Sequence, residues 1–231
     1  YQPGFAELIP DLVRVYDALP NADARRAQLA APIALLRGWN YRWGADSVAQ
    51  SVAMAWAMQL RTILNAPPKE NSDLIVRRLG RDTTAAQKLQ ALEEAIDWLT
   101  RDFGRWQVPW GEINRFQRLT GATRATYDDN APSVPVPFAN GNYGSLASVR
   151  SSPRNGTKRW YSDYGNSFVA VVEFGPRVRA RAVTAGGESG NPASPHFSDQ
   201  AQRYASGNLR EVYFYPDQLT GHTERSYHPG E

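Results

Sequence analysis

The apolar residues of the first half recur every three or four positions. Leu8, Leu12, Val15 and Leu19 share one face and predict a helix near residues 5–19, broken at Pro20-Asn21. A second segment runs from Ala22 to about Trp39 with Pro32 inside it, which predicts a kink or two pieces. Asp46 or Ser47 is placed to cap a third helix carrying Val48, Val52, Trp56, Leu60 and Ile63, and Pro67-Pro68 stops it. A short helix is expected near 70–79. The clearest stripe is Leu89, Leu92, Ile96, Leu99 and Phe103, a helix over 83–102 with Gly104 at its stop. Pro109 then opens a short helix through Leu119, with Glu112 in its first turn, where the helix dipole favours a negative charge.

The second half changes period. Residues 120–142, rich in Pro, Gly, Asn and Asp, read as a long irregular connection. In Ser167–Phe174, Phe168, Ala170, Val172 and Phe174 alternate with Val169, Val171 and Glu173. After the turn at Gly175-Pro176, Arg177, Arg179 and Arg181 alternate with Val178, Ala180 and Ala182, which completes a β-hairpin. A glycine-rich loop at 185–195 follows, then a helix from about Ser198 to before Gly207, a short strand at Glu211–Tyr215 and an irregular tail. Helices first and strands afterwards predict an α+β fold, with the helices covering one side of a mainly antiparallel sheet. The helical region 1–119 and the strand-rich region 120–231 are read as one unit.

Composition narrows the chemistry. The 231 residues contain no cysteine, which removes disulfides, thiol nucleophiles and zinc–sulfur sites. No apolar run approaches the ~20 residues of a membrane-spanning helix. Net charge is +3, spread evenly, and only Lys69, Lys88 and Lys158 are lysines. A chain whose positive charge is almost all arginine favours fixed ion pairs with carboxylates. The stripe Arg177/Arg179/Arg181 has no aromatic on its face, so ion pairing on the sheet is preferred over nucleic-acid binding. The first residues, Tyr1-Gln2-Pro3-Gly4, do not read as an intact secretory precursor and suggest a processed product or part of a longer chain.

The residues alone do not assemble a catalytic centre. His196, His222 and His228 lack the spacing of a helical zinc site. Gly186-Gly187-Glu188-Ser189-Gly190 misses the nucleophile-elbow pattern, because Asn191 follows and no helix comes next; it reads as a tight turn. Asn155-Gly156-Thr157 fits a glycosylation sequon.

Read as a string, Gly187-Glu188-Ser189-Gly190-Asn191-Pro192-Ala193-Ser194-Pro195-His196-Phe197-Ser198-Asp199-Gln200 resembles a segment of the penicillin amidase family of acylases. Leu35-Leu36-Arg37-Gly38-Trp39-Asn40 with Asp46-Ser47, and Pro109-Trp110-Gly111-Glu112-Ile113-Asn114-Arg115, are similar to further family landmarks in family order, as is the strand pair before the SPH segment. The resemblance implies the C-terminal part of the β subunit of an N-terminal-nucleophile hydrolase, within an αββα sandwich. It implies hydrolysis of an acyl amide, such as a penicillin or cephalosporin side chain or an N-acyl homoserine lactone, by an N-terminal serine outside this chain. A non-catalytic binding or interaction domain sharing the fold is the alternative.

By the same resemblance this chain carries no catalytic residue and no metal ligand. Any calcium site lies in other parts of the parent, and no cofactor is expected here. Glu188, Ser189 and His196 are its candidate supporting residues. In some members a late β-chain glutamate orients the histidine near the nucleophile, and Glu188 is the nearest counterpart; a plain turn glutamate is the other reading, since many relatives carry glutamine. Ser194, His196 and Asp199 read as structural, with Ser198 capping the next helix. The implied partners are the rest of the β chain, the α chain of the same precursor and a small acyl-amide substrate, with neither nucleic acid nor a membrane span. The implied location is periplasmic or secreted. A fragment without the segments that normally cover it would expose apolar area, expected near Trp39, Trp43, Trp56 and the 120–142 stretch.

Overall fold

The computed structural model describes residues 1–67, 72–154, 156–223, 225–228 and 230. Pro68, the start of the 70–79 helix and Asn155 of the sequon lie outside these. The fold is α+β, and the chain divides into two compact units, Tyr1–Asn166 and Ser167–Glu231. The division does not fall at residue 119, because strands after the helices pair within the first unit.

That unit opens with α1 (Pro3–Asp17), which buries Phe5, Leu8, Ile9 and Leu12 on one face. The segment interrupted by Pro32 forms two pieces, α2 (Arg25–Gln28) and α3 (Ala30–Arg37). In α4 (Val48–Ile63) the Ser47 hydroxyl accepts the Gln50 N–H at 3.1 Å, so serine rather than Asp46 is the cap. This helix is the centre of the unit: Val52, Ala53, Trp56, Ala57 and Leu60 are fully buried. Next come α5 (Ser72–Arg81) and α6 (Ala85–Phe103). At the start of α6, Thr84 and Gln87 satisfy each other's backbone N–H groups. At its end, Gly104 takes the left-handed conformation (φ 79°) that favours glycine.

A buried polar knot ties these helices together. Lys88 on α6 is 5% exposed; its ammonium donates to the Gly80 carbonyl at 2.8 Å and pairs with Asp11 of α1 at 2.6 Å. The Lys88 carbonyl accepts the Trp56 indole N–H at 2.9 Å. One residue thus links α1, α4, α5 and α6, and a buried charge is tolerated because it is paired and hydrogen-bonded.

The helix expected through Leu119 stops early. Only α7 (Trp110–Ile113) is helical, and the chain continues as β1 (Asn114–Phe116). β1 lies in a four-stranded sheet with β2 (Val134–Pro135), β3 (Val149–Pro153) and β4 (Trp160–Gly165), in the order β2-β1-β4-β3. The β1–β4 pair is parallel and the others are antiparallel. The sequence concealed these strands because they are two to six residues long and lie among turn residues.

The Trp110–Arg115 segment is a clamp on the irregular stretch that follows it. The Asn114 amide donates to the carbonyls of Val136 and Phe138, both at 2.8 Å, and the Trp110 indole donates to Phe138 at 3.1 Å. Arg115 donates to the Ser133 carbonyl at 2.5 Å and the Gly111 carbonyl at 2.8 Å. Gly111 is needed for close approach: a β-carbon there would sit 2.7 Å from Pro135 Cβ and 3.0 Å from Ala45 Cβ. Glu112 faces outward and pairs with Arg105 at 2.7 Å.

The second unit is a three-stranded antiparallel sheet, β5 (Phe168–Glu173), β6 (Arg179–Thr184) and β7 (Arg210–Val212), in that order, with α8 (Ala201–Ser206) between β6 and β7 in the chain. The cap of α8 is Gln200, not Ser198, and no side chain caps it. The arginine stripe is paired along the sheet: Arg181 meets Glu211 at 2.7 Å, Arg177 meets Asp217 at 2.5 Å, and Arg179 lies opposite Glu173 in the ladder.

The expected site of apolar exposure is corrected. Trp56 and Trp39 are buried, and Trp43 is half-buried with its ring edge-on to Phe138 at 5.0 Å. Residues 136–139 are buried as well. Among the described residues, a run of exposed apolar side chains lies in the hairpin, at Phe168, Val171, Val172 and Phe174, with others scattered at Leu74, Leu146, Tyr164 and Phe214.

Candidate functional site

The loop leaving β6 carries Glu188, Ser189 and His196, and its shape is fixed by backbone contacts. The Ser189 N–H donates to the His196 carbonyl at 3.1 Å, and the Gln200 N–H donates to the Gly186 carbonyl at 2.9 Å, so the loop closes on itself. Closure brings Gly187 against the returning segment at His196–Asp199. A β-carbon there would lie 2.2 Å from the His196 carbonyl oxygen and 2.7 Å from an Asp199 carboxylate oxygen, so only glycine fits. Asn191 shapes the tip: its side-chain oxygen accepts the Ala193 N–H at 3.0 Å, and its carbonyl accepts the Ser194 N–H at 3.0 Å.

Glu188 is the most strongly positioned of the three. Its carboxylate accepts the Thr184 hydroxyl and the Gln200 amide, both at 2.9 Å, and pairs with Arg210 at 3.3 Å. Gln200, nearly buried, turns its other face to the sheet: its side-chain oxygen accepts the Thr184 N–H at 3.0 Å and the Arg210 Nε–H at 3.3 Å. Three side chains, from β6, the start of α8 and β7, thus hold one carboxylate. The Thr184 hydroxyl, then the Gln200 amide, with Arg210 adding charge, keep its pKa below the ordinary value of 4.5 against a small desolvation. The group is 58% exposed, so it is an anion in a fixed position with an open side.

Ser189 and His196 do different work. The Ser189 hydroxyl accepts the Asn191 N–H at 3.1 Å. The His196 Nδ1 lies 2.9 Å from Asp199 Oδ2, and its backbone N–H donates to Ser194 Oγ at 3.2 Å. These contacts shape the loop. Sequence reading singled out Glu188 but missed Thr184, Gln200 and Arg210. Their signals were present in principle: Thr184 closes the alternation of β6, Gln200 ends the motif, and Arg210 opens a strand. Among the described residues, no three histidine, cysteine, aspartate or glutamate side chains come together to hold a metal ion.

The model of the family described as penicillin amidase matches residues 1–221. The chain belongs to the penicillin amidase family. It is 28% identical over 152 residues to the acyl-homoserine lactone acylase QuiP of Pseudomonas putida, an alignment covering 64% of this chain and 16% of that protein. It is also similar to a thermostable penicillin G acylase from Alcaligenes faecalis, at 14% identity and a TM-score of 0.45, covering 97% of this chain and 46% of that one. The chain therefore spans less than half the length of either. In this structure the Trp110–Arg115 segment is the clamp on residues 133–138, and Ser194-Pro195-His196 lies in the loop that presents Glu188.

Proposed function

We propose that this chain is the C-terminal part of the β subunit of an acylase that hydrolyses an acyl amide, and that it acts by positioning rather than by attack. The observation that carries the reading is the family match over residues 1–221. The acyl group is transferred to a serine at the N-terminus of the β subunit, outside this chain: its hydroxyl attacks the amide carbonyl, its α-amino group takes the proton and passes it to the amide nitrogen, and the C–N bond breaks to release the amine. Water then attacks the acyl ester and releases the carboxylic acid. A penicillin side-chain amide and an N-acyl homoserine lactone are the substrate classes that the named relatives suggest.

Glu188 is the positioning residue in this reading, since a fixed carboxylate with one open side suits the orientation of an imidazole on a neighbouring segment. The exposed apolar side chains of β5 support a partner in the remaining β chain and the α chain of the same precursor. The αββα sandwich and a periplasmic or secreted location belong to the same proposal.

The test compares the 231-residue chain with its complete parent protein, each assayed with a chromogenic phenylacetyl amide and a long-chain acyl homoserine lactone, with intact-mass analysis alongside. Turnover by the parent, with a subunit that begins in serine, is expected, and no turnover by the chain alone. Turnover or acyl-type covalent labelling of the chain alone overturns the proposal.

A further inference from the structure

The sheet of the second unit has β5 on one edge and β7 on the other, and among the described residues no strand lies beyond either. The phase of the ladder fixes which backbone groups of β5 face outward. The Ala185 N–H donates to the Ser167 carbonyl at 2.8 Å. From there β5 pairs with β6 without a register shift, from Phe168 opposite Thr184 to Glu173 opposite Arg179. Hydrogen-bonded pairs alternate along an antiparallel ladder. Val169, Val171 and Glu173 therefore turn their N–H and C=O groups toward β6, and Phe168, Ala170 and Val172 turn theirs to the open edge. The far side of β6 agrees with this phase: the Thr184 N–H donates to the Gln200 side chain and the Val178 N–H to the Tyr215 hydroxyl, both at 3.0 Å.

A sheet edge is a template for further pairing, and folded chains guard it with charges, prolines, bulges or shortness. The other edges of this molecule are guarded. β2 is two residues long and ends in Pro135. β3 carries Arg150, Pro153 and a register shift after Arg150. β7 is three residues long and includes Arg210 and Glu211. β5 is the exception, with no charge, proline or bulge from Phe168 to Val172. Phe168, Val171 and Val172 are exposed as well.

We propose that the β5 edge binds a second copy of this chain, β5 against β5, antiparallel about a two-fold axis at Val171. The strand is complementary to itself in that register. Ala170 lies opposite Val172 of the copy, and both are residues whose N–H and C=O groups face outward, so these groups satisfy each other. Val171 lies opposite Val171. The one charge, Glu173, lies opposite Val169, so no like charges are opposed. A two-fold pairing consumes both β5 edges and leaves only guarded ones, so assembly closes at two chains. The inference stands on the second unit alone and does not need the acylase reading. A strand of the parent protein set on the same edge would take the place of the copy, so the test uses the chain by itself.

The experiment follows the mass of the 231-residue chain by sedimentation equilibrium from micromolar to submillimolar concentration. The apparent mass is expected to rise from one chain to two and no further. Ala170→Pro removes only an outward N–H, so it is expected to hold the chain at the mass of one. The chain has no cysteine, so single cysteines report the register. At the axis the two Val171 Cα atoms form a non-hydrogen-bonded pair about 4.5 Å apart, within reach of a disulfide. Val171→Cys is therefore expected to cross-link two chains in oxidised glutathione. In Val169→Cys the two thiols lie four residues apart along the strands, roughly 13 Å, and no cross-link is expected. A single-chain mass at every concentration, growth past two chains, association that Ala170→Pro leaves intact, or equal cross-linking at 169 and 171 overturns the proposal. The cross-linking comparison keeps a small apolar side chain at each position, so it decides the matter even if Ala170→Pro disturbs the strand.

Discussion

The two units bury their apolar residues with unequal success. In the first, α4 is surrounded: Trp56, Leu60 and Val52 are sealed, and even a lysine is enclosed with its partners. In the second, Phe174 is 84% exposed, and Phe168 and Val171 are about as open as each other. Both regions have alternating or periodic apolar patterns, and the pattern alone does not say which will be covered. What differs is the number of elements available as cover. Six helices and a sheet share the first core, whereas three strands in the second have one helix of six residues. An amphipathic strand with no second layer leaves its apolar residues in water.

This contrast is broken or sharpened most strongly at Trp56. Replacing it with alanine removes a fully buried ring and leaves the Lys88 carbonyl without its indole donor. The expected loss is about 3–5 kcal/mol of unfolding free energy, read from the midpoint of denaturant unfolding of the chain. A loss below ~1 kcal/mol would mean that the first unit does not depend on this core.

Gly187→Ala ranks next. Its new β-carbon meets a backbone carbonyl at 2.2 Å, and backbone cannot step aside as a flexible side chain can. A cost of roughly 1–3 kcal/mol is expected, confined to the second unit. Amide hydrogen exchange should speed up across residues 185–200 while α4 and α6 keep their protection. Uniform acceleration in both units would show that they unfold together.

Much of the first unit was legible in the sequence because helical periodicity is written in one element at a time. The stripe from Leu89 to Phe103, the Ser47 cap and the Gly104 stop each follow from local residues, and each appears in the structure. The sheet β2-β1-β4-β3 was not legible. Its pairing joins Asn114 to Trp160 and Arg115 to Pro135, contacts set by packing across long stretches of chain. The hairpin β5–β6 was readable because its partners are adjacent, and its exposure was not, because burial depends on what lies over a strand. At the loop, Gly187 and Glu188 stood out as turn chemistry. Their partners Gln200 and Arg210 come from the next two elements, and only closure of the loop makes them neighbours.

On the exposed side of the comparison, Phe174→Ser should leave the stability of the chain within about 0.5 kcal/mol of its starting value, since little burial is lost. The same substitution in the complete parent protein should weaken assembly, measured as the subunit ratio after size-exclusion chromatography. Equal behaviour in both settings would mean that nothing covers this strand.

The smallest effect belongs to Glu188, and its sign can be worked out. The folded chain holds this carboxylate below its ordinary pKa of 4.5, chiefly through the Thr184 hydroxyl. A group depressed in the folded state contributes its stability above the unfolded value and loses it as the pH falls through the folded one. Stability should therefore decline below about pH 4.5, and Glu188→Gln should remove a small part of that decline while changing neutral-pH stability by only a few tenths of a kcal/mol, as befits a solvent-screened pair. Thr184 and Gln200 can still donate to the amide oxygen, so the loop should keep its shape. Turnover of the parent enzyme is a separate readout. If the negative charge orients an imidazole, kcat falls by about tenfold or more with KM nearly unchanged. If Glu188 only shapes the turn, kcat stays while the acid limb of stability still moves. The two measurements on one variant thus separate a positioning carboxylate from a structural one.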